Sequence, residues 1–176
     1  MNSRLDVVGI GNAMVDAIIP SNQTEIEKHN INRDSMNLID ENLKNNLHQS
    51  YTIKEMAGGG SLGNSMFGIT SLGGNGSFIG KIKNDEVGIF LQKDMVKEGL
   101  QFPLGFTSPD ISTGCCTIFV EEDGTRTMCT FLGAGTLIGP DDIDAQHIKN
   151  HQIAYLEGYL WDNENAKKAM KKMVDI

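Results

Sequence analysis

The sequence predicts an α/β fold built on a mostly parallel, doubly wound sheet. Two observations lead there. Short β-rich runs alternate with amphipathic stretches in the order strand, helix, strand, helix, the signature of crossover units in a parallel sheet. Glycine is also concentrated, with 20 in 176 residues and eleven of them between Gly58 and Gly99. Glycine loses more backbone entropy on folding than any other residue, so such a cluster serves tight turns or close approach of backbone to a ligand.

The elements follow in order. Residues 5–10 read Leu-Asp-Val-Val-Gly-Ile, a buried strand, which Gly11-Asn12 interrupts before residues 14–19 resume an extended pattern ended by Pro20. Residues 22–29 carry a capped helical turn, residues 35–39 a short strand, and Asp40 caps a polar helix running to His48. Residues 51–56 alternate as a half-buried strand that runs into Gly58-Gly59-Gly60. Ser61 then caps a helix whose Leu62, Met66 and Ile69 share one face, and Gly63 and Gly68 are expected to bring it close to the sheet. Residues 77–82 form the next strand, and residues 85–100 a helix with Val87, Leu91, Met95 and Val96 inward, closed by Gly99.

The rhythm breaks at residues 113–131. Two β-rich runs flank Glu121-Glu122-Asp123-Gly124, and Asp-Gly between strands predicts a hairpin because glycine accepts the positive φ of the turn. Afterwards Pro140-Asp141-Asp142 opens a helix, residues 153–160 form a strand, and Asp162 opens a Lys-rich helix. That helix returns to no further strand, which predicts either a domain cut short at Ile176 or a helix that covers the sheet.

Composition excludes several classes of function. Fifteen basic against 23 acidic residues give a net charge of −8, which argues against a nucleic-acid partner, since backbone binding needs clustered Lys and Arg. No apolar run is long enough to span a membrane. The N-terminal Met-Asn-Ser-Arg-Leu-Asp, with Asp6 and Asp16 inside the first apolar stretch, argues against a signal peptide. Three cysteines, two of them adjacent (Cys115 and Cys116, then Cys129), make no disulfide framework and read as packing residues. The expectation is a cytoplasmic, reduced protein.

Two familiar phosphate-binding patterns fail. Gly9-Ile10-Gly11 follows a strand, but the third glycine of a dinucleotide fingerprint would fall at Met14, and strand rather than helix follows. Only three residues separate Gly76 from Gly80-Lys81, and Ile82 offers no hydroxyl, so there is no P-loop. Asn12 and Asp16 remain. They lie at and just past the carboxyl end of the first strand, where open α/β sheets bind ligands. Amide and carboxylate together suit a vicinal diol, the alternative being a turn Asn and a solvated Asp. Gly58-Gly59-Gly60-Ser61 places bare backbone at a helix N-terminus, where free N–H groups would favour an anion or hydroxyl, or it is an ordinary flexible connection. His147 and His151 at i, i+4 lack further ligands for a metal and read as solvated helix residues. Gly133-Ala134-Gly135 reads as a strand exit.

Taken together, these residues resemble the ribokinase/PfkB carbohydrate kinase family, and its adenosine-kinase-like members in particular. Gly11-Asn12-Ala13-Met14-Val15-Asp16 resembles their G-N-x-x-x-D opening, Gly59-Gly60 with Asn64 their G-G-x-x-x-N segment, and Ile79-Gly80 with Asp85 and Gly88 the I-G-x-x-x-x-D-x-x-G stretch. Thr113-Gly114 with the Asp-Gly hairpin resembles the family's β lid, and Leu156-Glu157-Gly158-Tyr159 its next core strand.

The resemblance implies a ribokinase-like doubly wound sheet with a small β lid, apparently truncated on its C-terminal side. Residues 1–176 would form the N-terminal part of one kinase domain, with lid strands within 12–20, 35–57 and 111–133. It implies ATP-dependent, Mg2+-assisted phosphorylation of a primary hydroxyl on a sugar or nucleoside, adenosine-like favoured. Asn12, Asp16 and Asn64 would bind the substrate, Gly59 and Gly60 would contact it and hinge the lid, and Arg126 would reach substrate or phosphate from the hairpin, the alternative being a solvated lid arginine. Lid strands of this family pair between subunits, which implies a homodimer. The family's catalytic G-A-G-D aspartate and its N-x-x-E element are absent from these 176 residues, so no catalytic residue is assigned. These residues alone are expected to be inactive, with a non-catalytic sugar- or nucleoside-binding module as the alternative.

Overall fold

In the computed structural model, residues 5–176 are described; the first four, on which part of the signal-peptide reading and of the 1–176 domain span falls, lie outside the described residues. The chain runs β1 (Leu5–Ile10), β2 (Met14–Pro20), α1 (Gln23–Glu27), β3 (Met36–Leu38), α2 (Glu41–Ser50), β4 (Glu55–Gly59), α3 (Ser61–Ser71), β5 (Gly76–Ile79), β6 (Ile82–Lys83) and α4 (Glu86–Lys97). It continues through β7 (Phe106–Ser108), β8 (Gly114–Val120), β9 (Arg126–Phe131), α5 (Ala145–Lys149), β10 (His151–Leu156) and α6 (Glu164–Val174), with short 3₁₀ turns at Gly133–Leu137, Pro140–Asp142 and Gly158–Asp162.

A parallel sheet of order β10-β1-β5 forms the body. Alternation along its strands sends apolar side chains to both faces, as a doubly wound sheet requires. Val8, Ile10 and Ile79 pack with Ile148, Met170 and Met173 on one side, and Val7 and Phe78 pack with Leu62, Met66, Leu91 and Met95 on the other. A five-stranded mixed sheet, order β3-β9-β8-β2-β4, projects from the body. One of its faces packs Ile19, Phe119 and Cys129 against Ile26 and Leu47 of the two small helices α1 and α2. The chain crosses from body to second sheet after β1, returns after β4, crosses again before β8 and returns after β9.

Glycine shapes these joints, though not where the helix pattern suggested. A side chain at Gly63 or Gly68 would meet open space. The close approach belongs to β1: a Cβ at Gly9 would lie 2.7 Å from the Leu62 side chain, and one at Gly11 2.6 Å. The Gly9-x-Gly11 pair therefore admits α3 onto the sheet. The Asp85-x-x-Gly88 stretch is also structural. Asp85 caps α4 by accepting from Gly88 N at 2.8 Å, and it also accepts from Thr113 N at 2.9 Å and Thr113 Oγ1 at 2.8 Å, which ties α4 to the root of β8. A Cβ at Gly88 would collide with the Lys83 carbonyl.

Several boundaries depart from the expected ones. β4 begins at Glu55 and contains Gly58 and Gly59, which pair with Val15 and Met14 and so are strand rather than free loop. Val96 is 61% exposed instead of inward, because α4 ends at Lys97 and its buried line runs through Gly88, Leu91 and Met95. Pro140 opens only a 3₁₀ turn; α5 starts at Ala145, where the Asp144 carboxylate accepts from Gln146 N and His147 N. Asn163, not Asp162, caps α6, its side chain accepting from Asn165 N and Ala166 N. The hairpin closes on Gly124 (φ 86°), whose N–H bonds the Glu121 carbonyl at 3.0 Å.

The two histidines are not solvated helix residues. His147, at the middle of α5, is half-buried with its Nε2 2.7 Å from Ser77 Oγ, and His151, only 4% exposed, begins β10 with its Nδ1 2.8 Å from the His147 carbonyl. Burial, then the neighbouring His151, lowers the His147 pKa below its ordinary 6.5. Burial, then the Lys44 charge, lowers that of His48.

Two predictions follow from this packing. Gly88→Ala should destabilise the protein by about 1–3 kcal/mol, the usual cost of overpacking a fixed backbone contact, read as a lower urea midpoint. Because the folded state holds His48 and His147 neutral while the unfolded chain takes up protons near pH 6.5, the unfolded state binds more protons below that pH, and stability falls as pH drops through 6.5. Urea midpoints at pH 7.5 and 5.5 should therefore differ, and His48→Gln with His147→Gln should flatten the difference.

Candidate functional site

The site grows from one buried carboxylate. β10 ends at Leu156, and Glu157 turns back over the carboxyl edge of the sheet, 4% exposed. Its Oε2 accepts from Asn12 N at 2.7 Å and from Asn12 Nδ2 at 3.0 Å. Its Oε1 accepts from Ser61 Oγ at 2.6 Å and from Leu62 N at 3.0 Å. Four donors from two distant segments thus meet one side chain. The N-terminus of α3, expected to offer free amides to an anion, is occupied by Glu157, and Ser61 serves this carboxylate instead of capping its own helix.

Asn12, also 4% exposed, is consequently a buried joint between β1 and β2. Gly60 caps α3 at φ 82°, a conformation that favours glycine. A Cβ there would lie 3.1 Å from Met14 Cγ and 3.3 Å from the Asn12 carbonyl. Asn64 stands exposed on the first turn of α3, its N–H bonding the Gly60 carbonyl at 3.0 Å.

Asp16 differs from every other acid at these joints. It lies two residues into β2, opposite Ala57 of β4 and Cys116 of β8, half-buried, and burial raises its pKa above the ordinary carboxyl value. Gly59 backs directly onto it, and a Cβ at Gly59 would collide with the carboxyl group. Among the described residues no hydrogen bond to this carboxylate is present. The row continues across the sheet through Cys116 and Thr130, whose Oγ1 lies 3.4 Å from Cys116 Sγ, to Leu38. Beyond Thr130 an apolar cleft opens between Leu38, Ile111, Leu132 and Thr136. Burial pushes the Cys116 thiol up to about 11, so it is protonated and inert at neutral pH.

The structure therefore gathers Asn12, Asp16, Gly59, Gly60 and Asn64 around the crossings between the two sheets. Arg126 is not brought there. It pairs with Val120, itself opposite Pro20, four residues along from the Asp16–Cys116–Thr130 row, ~13 Å at the usual strand rise. It is exposed at the hairpin end. Glu157 was missed as a site residue because a strand assigned to 153–160 hid it in the alternation. The available signal was a lone acid just after a core strand, at the edge where ligands bind.

No group of three or more His, Cys, Asp or Glu gathers among the described residues in a way that could hold a metal ion. The single G-A-G, Gly133–Gly135, is already spent on the fold: Ala134 N bonds the Ser112 carbonyl at 2.9 Å, and a Cβ at Gly135 would lie 2.9 Å from Asn12 Oδ1. What the arrangement offers is an acceptor for hydroxyl groups beside an apolar floor.

Replacing Glu157 tests the joint. Glu157→Gln keeps the shape but turns an amide donor toward groups that are themselves donors, so it should cost about 3 kcal/mol or more, measured as the shift in urea midpoint.

The comparisons with known proteins agree with this architecture. A probable sugar kinase from Rhizobium etli CFN 42 superposes with a TM-score of 0.87 at 34% identity, over 98% of this chain and 52% of that one. Adenosine kinase from Sinorhizobium meliloti superposes equally well, with a TM-score of 0.87 at 35% identity, over 98% of this chain and 53% of that one. An uncharacterized sugar kinase of Archaeoglobus fulgidus is 28% identical over 109 residues, which cover 61% of this chain and 43% of that protein. The chain thus spans about half the length of the structures it matches. No helix among the described residues is long and apolar enough to cross a membrane. The fold is ribokinase-like, the profile of the pfkB family carbohydrate kinases matches residues 6–176, and the chain belongs to that family.

Proposed function

We propose that this chain carries the substrate-binding and lid portion of a kinase that transfers a phosphoryl group from ATP, with Mg2+, to a primary hydroxyl of a sugar or nucleoside, adenosine-like favoured. In this reading residues 1–176 are the N-terminal part of one kinase domain of a cytoplasmic protein, and the five-stranded sheet is its lid. The observation that carries the reading is the Asp16 carboxylate, half-buried, backed by Gly59 and without a hydrogen-bond donor among the described residues. An acceptor so placed favours a ligand that brings its own hydroxyl donors, and a hydrogen bond to a charged group contributes about 1.5–3 kcal/mol.

Phosphoryl transfer rests on in-line positioning of the acceptor hydroxyl and on exclusion of water. Here the first task falls to Asp16, with Asn64 presented from the exposed first turn of α3 and Asn12 fixing the crossing. The second falls to the sheet that overhangs the body, with Gly59-Gly60 as its hinge and Arg126 as a contact made only when the hairpin end folds inward. The lean toward adenosine is supported by the 35% identity to an adenosine kinase and by the apolar cleft beyond Thr130, which suits a base better than a bare sugar. Met36 and Leu38, 51% and 66% exposed on the edge strand β3, are where lid strands of two copies would pair.

Calorimetric titration with adenosine, ribose and fructose tests the reading. Adenosine is expected to bind most tightly, and Asp16→Asn to weaken it by about tenfold to a hundredfold, the equivalent of one such hydrogen bond. A variant that binds as tightly as the parent would refute the role of Asp16. These 176 residues alone are expected to yield no phosphorylated product from ATP. Binding with no turnover even from a longer natural chain would favour the non-catalytic module.

A further inference from the structure

Three carboxylates on body elements grip the chain where it crosses to or from the lid. Glu157 holds Asn12 and Leu62. Asp85 holds Thr113. The third is Asp94, on α4 two and a half turns beyond Asp85, whose Oδ2 accepts from the backbone N–H of Gly58 at 2.9 Å. Glu157 accepts four bonds and Asp85 three, but Asp94 makes this one alone among the described residues.

The position of that bond matters. β4 is an edge strand, so an outward N–H on it faces either water or a side chain. Gly58 lies in a slot between α3 and α4: a Cβ there would lie 2.7 Å from the Phe67 ring and 2.9 Å from Asp94 Oδ2. Only glycine lets the strand approach the carboxylate. One residue on, Gly59 backs Asp16; two residues on, Gly60 turns at positive φ; four residues on, Leu62 is fixed by Glu157. The hinge segment is thus pinned at both ends, on the helix side by a saturated, buried carboxylate and on the strand side by a single part-buried bond. Any swing of the lid about Gly59-Gly60 has to break the weaker pin.

We propose that Asp94 is a positioning residue. Its bond to Gly58 N latches β4 where Gly59 backs the Asp16 carboxyl, and so sets the place of Asp16 for the substrate. The proposal rests on the substrate reading of Asp16 given above, and its test separates the two. Loss of this latch leaves the edge N–H to water, so its effect falls on strand position more than on global stability.

Amide hydrogen exchange of the protein without ligand, in parent, Asp94→Asn and Asp94→Ala, reads the latch directly. Asp94→Ala should raise exchange at Gly58 by about tenfold or more, with amides of β1 and α4 changed by less than about threefold. Asp94→Asn, which keeps an acceptor oxygen, should stay within about threefold of the parent. Adenosine affinity should follow the same order, weakened by about tenfold in Asp94→Ala and restored in Asp94→Asn. Unchanged exchange at Gly58 in Asp94→Ala, equal effects of Ala and Asn, or a rise spread over the whole chain would each overturn the latch. The expected exchange pattern in a parent that binds none of adenosine, ribose and fructose would confirm the latch and overturn its role in substrate positioning together with the reading of Asp16.

Discussion

The structure depends on the carboxylate of Glu157. A buried charge costs several kcal/mol unless its hydrogen-bonding capacity is met. Here four donors meet it, from Asn12, Ser61 and Leu62. The result is a fixed node where the carboxyl edge of the body sheet, the exit to the five-stranded sheet and the first turn of α3 converge. A negative group at a helix N-terminus is also favoured by the helix dipole. The open acceptor, Asp16, lies beside this node, not on it. That is why the N-terminus of α3, the most obvious anion cradle in the sequence, is closed.

Close packing supplies the second constraint. Gly9 and Gly11 let Leu62 reach β1, Gly59 lets β4 reach Asp16, and Gly88 lets α4 reach the Lys83 carbonyl. Each glycine marks a place where its backbone comes nearer to a leucine side chain, a carboxyl or another backbone than a side chain of its own would permit. Within the glycine cluster, Gly58, Gly59 and Gly88 record close approach, while Gly60, Gly73 and Gly99 adopt the positive φ that favours glycine.

Periodicity made the order of the core elements legible, because strands and helices with a buried face must repeat at 2 or 3.6 residues. A cap was legible where a short acid precedes its own helix, as Asp40 does. It was not legible where the cap comes from far along the chain, as Glu157 does for α3, since no local pattern encodes a contact across 95 residues. The same reason hid Asp94. Boundaries failed at β4 and β10, where pairing partners rather than propensity decide where a strand stops: Gly58 and Gly59 are poor strand residues, held extended by Val15 and Met14. The site was legible in part. Asn12, Asp16, Gly59, Gly60 and Asn64 come together, and Arg126 stands apart.

Comparison of the acids then separates structure from function. Glu157 and Asp85 have their oxygens engaged by backbone and side-chain donors, and a carboxylate so engaged has little left to offer a ligand. Asp16 is half-buried with no donor among the described residues, and that burial raises its pKa above the ordinary carboxyl value. Folding alone gives no reason to keep a partly desolvated, unpartnered carboxyl in the middle of a strand, since a residue such as Thr or Val would suit that position better. The penalty is offset when a bound molecule supplies the missing hydroxyl donors. Asp16 is therefore the acid in this constellation whose hydrogen-bonding capacity the described residues leave open, which is the ground for the substrate role proposed for it.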